Sequence, residues 1–154
     1  MKLLKTGVAC FAAVIAISKL PKSSFAYSEI VRKATGKLLL YLGSEVSDEI
    51  MQYLLKIPKE GTTTKFLVNV NKENHKNVRE LMRSFEVREP HINLDVHILT
   101  INSKESYIVP IHDKANFVRI DLPSFSSFLF NMLEKIWEEA SDVSEKVENF
   151  ERQT

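Results

Sequence analysis

The run KLLLYL at residues 37–42, bounded by Gly36 and Gly43, constrains the fold more than any other feature of the chain. It is of strand length and apolar at both alternate sets of positions, so it reads as a strand buried on both faces. Such a strand needs covering layers on each side, which points to helices packed about a sheet. The flanking segments supply them. Residues 27–35 read as a short helix with Ile30, Val31 and Ala34 on one side, closed by Gly36. Over residues 45–57, Val46, Ile50, Leu54 and Ile57 recur at helical spacing. Ser44 stands in a capping position, and Glu45, Asp48 and Glu49 sit in the first turn, where the helix dipole favours acids. Pro58 and Gly61 end that helix. Residues 64–70 (TKFLVNV) form a second strand, rich in β-branched and aromatic side chains. Asn71 is in place to cap a helix over residues 72–85, whose Val78, Leu81, Met82 and Phe85 share a face. Helices between strands imply right-handed crossovers and parallel pairing.

After Pro90 the pattern changes. Residues 94–100 (LDVHILT), 106–111 (SYIVPI) and 117–121 (FVRID) read as strands joined by short polar turns at 102–105 and 112–116, an antiparallel meander. Pro110 places the second of these strands at an edge or interrupts it. Pro123 opens the strongest helix, in which Phe125, Phe128, Leu129, Met132, Leu133, Ile136 and Trp137 form an apolar stripe of core type. Val143, Val147 and Phe150 extend a weaker stripe into a tail. The expected fold is α/β, a mixed five-stranded sheet flanked by helices and ending in a long amphipathic helix.

Lysine plus arginine total 21 and aspartate plus glutamate 20, a net charge of +1, so the chain as a whole has no broad basic face. On that ground no direct nucleic-acid partner is expected. The charge is unevenly placed. Residues 1–26 carry Lys2, Lys5, Lys19 and Lys22 and no acid, whereas residues 122–154 carry seven acids against Lys135, Lys146 and Arg152. The segment TGVACFAAVIAIS at residues 6–18 is shorter than the about 20 residues of a spanning helix. Residues 1–26 therefore read either as a basic, apolar helix packed on the domain or a partner, or as a signal or membrane anchor. Residues 27–154 read as one domain. A cytoplasmic location is expected, with membrane association only in the anchor reading. Cys10 is the one cysteine, which excludes an internal disulfide and a multi-cysteine zinc site.

Most catalytic signatures are absent. The glycines at positions 7, 36, 43 and 61 make no phosphate-binding loop, and no histidines pair at metal-ligand spacing. No metal or cofactor is expected. Of the four histidines, His75 reads as the exposed side of a polar helix start, His91 as a loop residue, and His97 as part of a polar strand face shared with Asp95. Ligands of sheets with parallel strands bind at the strands' carboxyl ends. That makes Ser44, Glu45, Asn69 and Asn71 the candidate ligand-binding residues, with Ser44 and Asn71 at helix starts suited to an anion.

Two resemblances add to this reading. The segment His112-Asp113-Lys114 resembles the His-x-Lys element of the phospholipase D superfamily, in which the histidine attacks phosphorus and the lysine holds the phosphate oxygens. That family has an aspartate five residues after the lysine; Arg119 stands there and Asp121 is the nearest aspartate. The glycine-serine pair and asparagine that follow in the family are missing, and the family uses two such histidines, which would require a dimer. The second resemblance covers residues 66–150 well and 27–65 weakly. Asn71 and Asn74, the Glu80-Leu81-Met82 helix core, Tyr107, and Phe130 with Ile136 and Trp137 resemble the phospholipase D-like sensory or effector domain of archaeal transcription regulators and of proteins carrying histidine kinase modules. These are core-type residues and specify fold better than ligand. The resemblance implies a non-enzymatic sensing or transcription-regulatory module that binds a small ligand or a signalling protein, with a homodimer formed through the terminal helices. The alternative is a dimeric phosphodiesterase or nuclease with His112, Lys114 and Asp121 as catalytic residues.

Overall fold

The computed structural model describes residues 16–17 and 24–154. The expected N-terminal helix or anchor, Cys10 included, lies mostly outside the described residues. Among the described residues no helix is long and apolar enough to cross a membrane.

The chain runs β1 (Ala16–Ile17), α1 (Phe25–Lys33), β2 (Gly36–Gly43), α2 (Asp48–Leu54), β3 (Thr62–Val68), α3 (His75–Met82), β4 (Glu86–Glu89), β5 (Val96–Ile101), β6 (Glu105–Pro110), β7 (Val118–Ile120), α4 (Pro123–Glu139), β8 (Ser141–Asp142) and α5 (Ser144–Arg152). From β2 onward seven strands form one sheet in the order β7-β6-β5-β2-β3-β4-β8, and the two residues of β1 pair on the outer side of β7. β2, β3 and β4 are parallel, and every other pairing is antiparallel. The sheet is therefore mixed, as expected, but wider than five strands. The added strands are β4, β8 and β1.

β2 is the centre of the molecule. Leu38, Leu39, Leu40, Tyr41 and Leu42 are each at most 1% exposed. Leu38, Leu40 and Leu42 face the larger core, made with Tyr27 and Ile30 of α1, Ile50 and Leu54 of α2, Val78 and Leu81 of α3, and Val147 of α5. Leu39 and Tyr41 face a smaller core closed by Phe130, Leu133 and Trp137 of α4. One helix thus covers one face of the sheet, and four cover the other.

Several local expectations shift. The 102–105 turn is confirmed as a hairpin, with Asn102 and Ser103 at φ 52° and 57°, the primed-turn geometry that matches strand twist. β6 is an interior strand, but Pro110 is its last residue and lies beyond the segment paired with β7, so no ladder bond is lost there. The closing helix is not continuous. Ala140 turns extended (ψ 153°), β8 pairs with β4, and Asp142 accepts a hydrogen bond from the Ser144 backbone at 2.8 Å as α5 begins. α5 folds back onto α3, with Phe150 stacked on His75 at 5.8 Å and Lys146 paired to Glu89 at 2.9 Å. His75 is thereby buried, contrary to its expected exposure. The α4 stripe is also split. Leu129, Leu133 and Trp137 are buried with Ser126 and Phe130, whereas Phe128 is 61% exposed.

Candidate functional site

The carboxyl ends of β2 and β3 lie side by side, and asparagine side chains organise the loops that leave them. β2 ends at Gly43, whose φ of +56° favours glycine. After β3, the Asn71 side-chain oxygen accepts hydrogen bonds from the backbones of Glu73 (3.0 Å) and Asn74 (2.8 Å), a local turn. Asn74, 3% exposed, ties the two loops together. Its amide donates to the carbonyls of Ser44 and Asn69, both at 2.9 Å, and its oxygen accepts from the Asn71 backbone at 2.8 Å. Asn77 donates to the Val46 carbonyl and to Asp48, each at 2.9 Å.

These bonds shape an open cleft of about 300 Å³ bordered by Ser44, Glu45, Asp48, Glu73, Asn74 and Asn77. Of the four candidate ligand residues, Ser44 and Glu45 line it. Asn69 and Asn71 do not. The Asn69 amide donates to the Pro90 carbonyl at 3.2 Å, and Asn71 is occupied by its own turn. The expected caps also move: α2 starts after Ser47 and α3 after Asn74, with no side-chain capping bond at either. The cleft carries three carboxylates, one of them, Glu45, paired with Lys114, so the net negative charge that remains favours a cation over the expected anion. The Asn71, Asn74, Asn77 series at three-residue spacing was the available sequence signal for the two asparagines that matter most.

Asn74→Ala leaves two backbone carbonyls and one backbone amide without their partner. We expect a loss of about 2–3 kcal/mol in unfolding free energy, read by urea denaturation. Asn71→Ala, with a local turn only, is expected to cost about 1 kcal/mol.

Behind the cleft lies a buried polar pair. His97 is fully buried on β5, and its Nδ1 is hydrogen-bonded to the Tyr27 hydroxyl of α1. The expected polar strand face does not exist: β5 begins at Val96, and Asp95 is exposed outside it. Burial pushes the His97 ring down to about 4, and the nearby Lys114 ammonium acts in the same direction. Burial, with Glu45 and Glu49 nearby, raises the Tyr27 hydroxyl. His97 is a neutral core histidine.

Of the residues proposed for phosphoryl chemistry, Lys114 and Asp121 are each paired with another residue. His112 is exposed in the β6–β7 turn. Lys114 pairs with Glu45 at 3.3 Å, and Asp121 pairs with Arg119 at 3.0 Å. No hydrogen bond or ion pair joins any two of His112, Lys114 and Asp121 among the described residues. Nor do the described residues contain a group of three or more histidine, cysteine or carboxylate side chains arranged to hold a metal.

No family model and no curated protein matches the sequence. Solved structures do. Nuc from Salmonella typhimurium, a phospholipase D family member, aligns with a TM-score of 0.64 at 12% identity over 75% of this chain and 87% of its own. NucT from Helicobacter pylori aligns at 0.63 and 10% identity, over 78% and 90%. TrmBL2, an archaeal chromatin protein with a novel mode of DNA binding, aligns at 0.59 and 15% identity over 79% of this chain, which spans 50% of TrmBL2. The expectation of no direct nucleic-acid partner is corrected by this last likeness, since a protein of similar fold binds DNA. A position before a histidine kinase module has no counterpart among the three. At these identities the likeness carries architecture, and the chain has a phospholipase D-like fold.

Proposed function

We propose that the chain is a non-enzymatic regulatory module that binds a small ligand or a partner segment at the carboxyl ends of β2 and β3. The observation that carries this reading is the pairing of Lys114 with Glu45 and of Asp121 with Arg119, which leaves His112 without a cation or carboxylate partner among the described residues. Phosphoryl transfer needs a nucleophile and a cation on one phosphorus, with the nucleophile oriented by a neighbour. Here the lysine is neutralised by Glu45, the aspartate by Arg119, and His112 stands in solvent. The asparagine-braced cleft, by contrast, presents Glu45 and Glu73 on loops held by part-buried hydrogen bonds, with Asp48 at the start of α2. A ligand with a positive charge and hydrogen-bond donors suits it.

The test is a titration followed by amide NMR, with putrescine and trilysine as probes. Shifts are expected at residues 44–48 and 73–77, with at least tenfold weaker binding in a Glu45→Gln, Glu73→Gln double variant. Silence toward both probes contradicts the cleft assignment. The second reading, a dimeric phosphodiesterase using His112 and Lys114, has the shared fold of Nuc and NucT in its favour and the pairing of Lys114 with Glu45 against it.

A further inference from the structure

A second cleft lies at the opposite end of the sheet. β4 pairs with β3 only at Lys65, Phe66 and Leu67, so β3 runs past the start of β4 and leaves a notch beside residues 62–64. The notch holds about 380 Å³, enough for a small molecule. Its lining combines four kinds of group. Lys59 brings an ammonium and Glu86 a carboxylate, and neither makes an ion pair or side-chain hydrogen bond among the described residues. Thr63, Thr64 and Ser84 bring hydroxyls. Met82 and Phe85 bring apolar surface, and Phe85 is held edge-on against Phe66 at 5.2 Å.

Thr64 marks the notch as unfinished. It is 7% exposed, and its hydroxyl has no hydrogen-bond partner. Buried hydroxyls are seldom left so, and the exceptions call for an explanation. The β4 side of residues 62–64 likewise lacks a strand to pair with. The notch also adjoins the carboxyl end of α3, where the helix dipole favours positive charge. A lone anion would meet Glu86, and a lone cation would meet Lys59.

We infer that the notch between residues 59–64 and 82–86 is a second binding site, distinct from the asparagine-braced cleft, for a zwitterionic small molecule of the α-amino acid class. Lys59 pairs with its carboxylate and Glu86 with its ammonium. The hydroxyls of Thr63, Thr64 and Ser84 take its remaining hydrogen bonds, and its side chain lies on Met82 and Phe85.

The experiment is amide NMR of the full chain with each of the twenty standard L-amino acids. At least one is expected to shift residues 62–64 and 84–86 with a Kd below about 1 mM. Lys59→Met and Glu86→Gln are each expected to weaken that ligand at least tenfold. So are its N-acetyl and C-amide forms, which remove one charge at a time. Both substitutions fall on exposed side chains, and circular dichroism confirms the fold. Three results overturn the inference: no shift at the notch with any of the twenty, equal binding by both variants, or shifts confined to residues 44–48 and 73–77. The last would support the first cleft while removing this one.

Discussion

Trp137→Ala is expected to lower the unfolding free energy by about 3–5 kcal/mol. The indole is 6% exposed and closes the smaller core with Leu39, Tyr41, Leu67 and Ile98 of the sheet. Two cations flank it, with the Lys65 ammonium 5.2 Å and the Arg88 guanidinium 4.6 Å from the ring. Arg88 also donates to the Trp137 carbonyl at 3.0 Å, so the ring and the end of α4 are fixed together to β4. Truncation removes the packing, leaves a cavity above β3, and strips both cations of their partner. Phe128→Ala, on the outer face of the same helix, is expected to change stability by no more than about 0.5 kcal/mol. Urea denaturation of the two variants separates the faces of α4. Equal losses would contradict the assignment of α4 as the single cover of its side of the sheet.

The second large effect is on pH dependence. His97 binds a proton only near pH 4 in the folded chain, whereas an unfolded histidine does so near 6.5. Between those values the unfolded chain holds the extra proton, so stability rises with pH across the window. The stability contributed by the neutral ring is complete above about 6.5 and is lost as pH falls to about 4, about 3 kcal/mol in all. The groups facing the ring act differently: the Tyr27 hydroxyl accommodates neutral imidazole, and Lys114 repels the protonated form. Carboxylates held low, such as Glu29 by its hydrogen bond from Arg32 and Asp142 by the Ser144 backbone, begin to lose their contribution as pH falls into the ordinary carboxylate range, below most of the His97 window. Urea midpoints at pH 7, 5.5 and 4 should therefore fall more steeply in wild type than in His97→Gln. Parallel curves would place the titration elsewhere.

The parts of the fold that could be read from sequence are those set by local pattern. The KLLLYL strand, the second strand, the 102–105 hairpin and the amphipathic character of α4 all follow from spacing and turn chemistry. β4 could not be read, because EVRE is short and charged and becomes a strand only by lying against β3. The break at Ala140 depends on β8 finding β4, again a tertiary event. His75 and His97 were both misplaced as polar-surface residues; Phe150 of α5 covers the first, and Tyr27 of α1 pairs with the second. At the carboxyl-end cleft, the choice of β2 and β3 follows from the parallel pattern, and two of the four candidate residues, Ser44 and Glu45, border it. The three-residue spacing of Asn71, Asn74 and Asn77 marks Asn74 as a turn residue, but not its bond to a loop 30 residues away. His112-Asp113-Lys114 was conspicuous as a string of residue types, yet the structure sets its lysine against Glu45 and leaves its histidine in solvent.

The most direct test of a binding module against an enzyme is hydrolysis of bis(p-nitrophenyl) phosphate and of single-stranded DNA by the full chain, with His112→Ala alongside. The pairing of Lys114 with Glu45 and of Asp121 with Arg119 predicts no turnover above buffer in either protein, with the fold intact by circular dichroism. Turnover by the wild type that disappears in His112→Ala would contradict it and establish a phosphodiesterase built on His112.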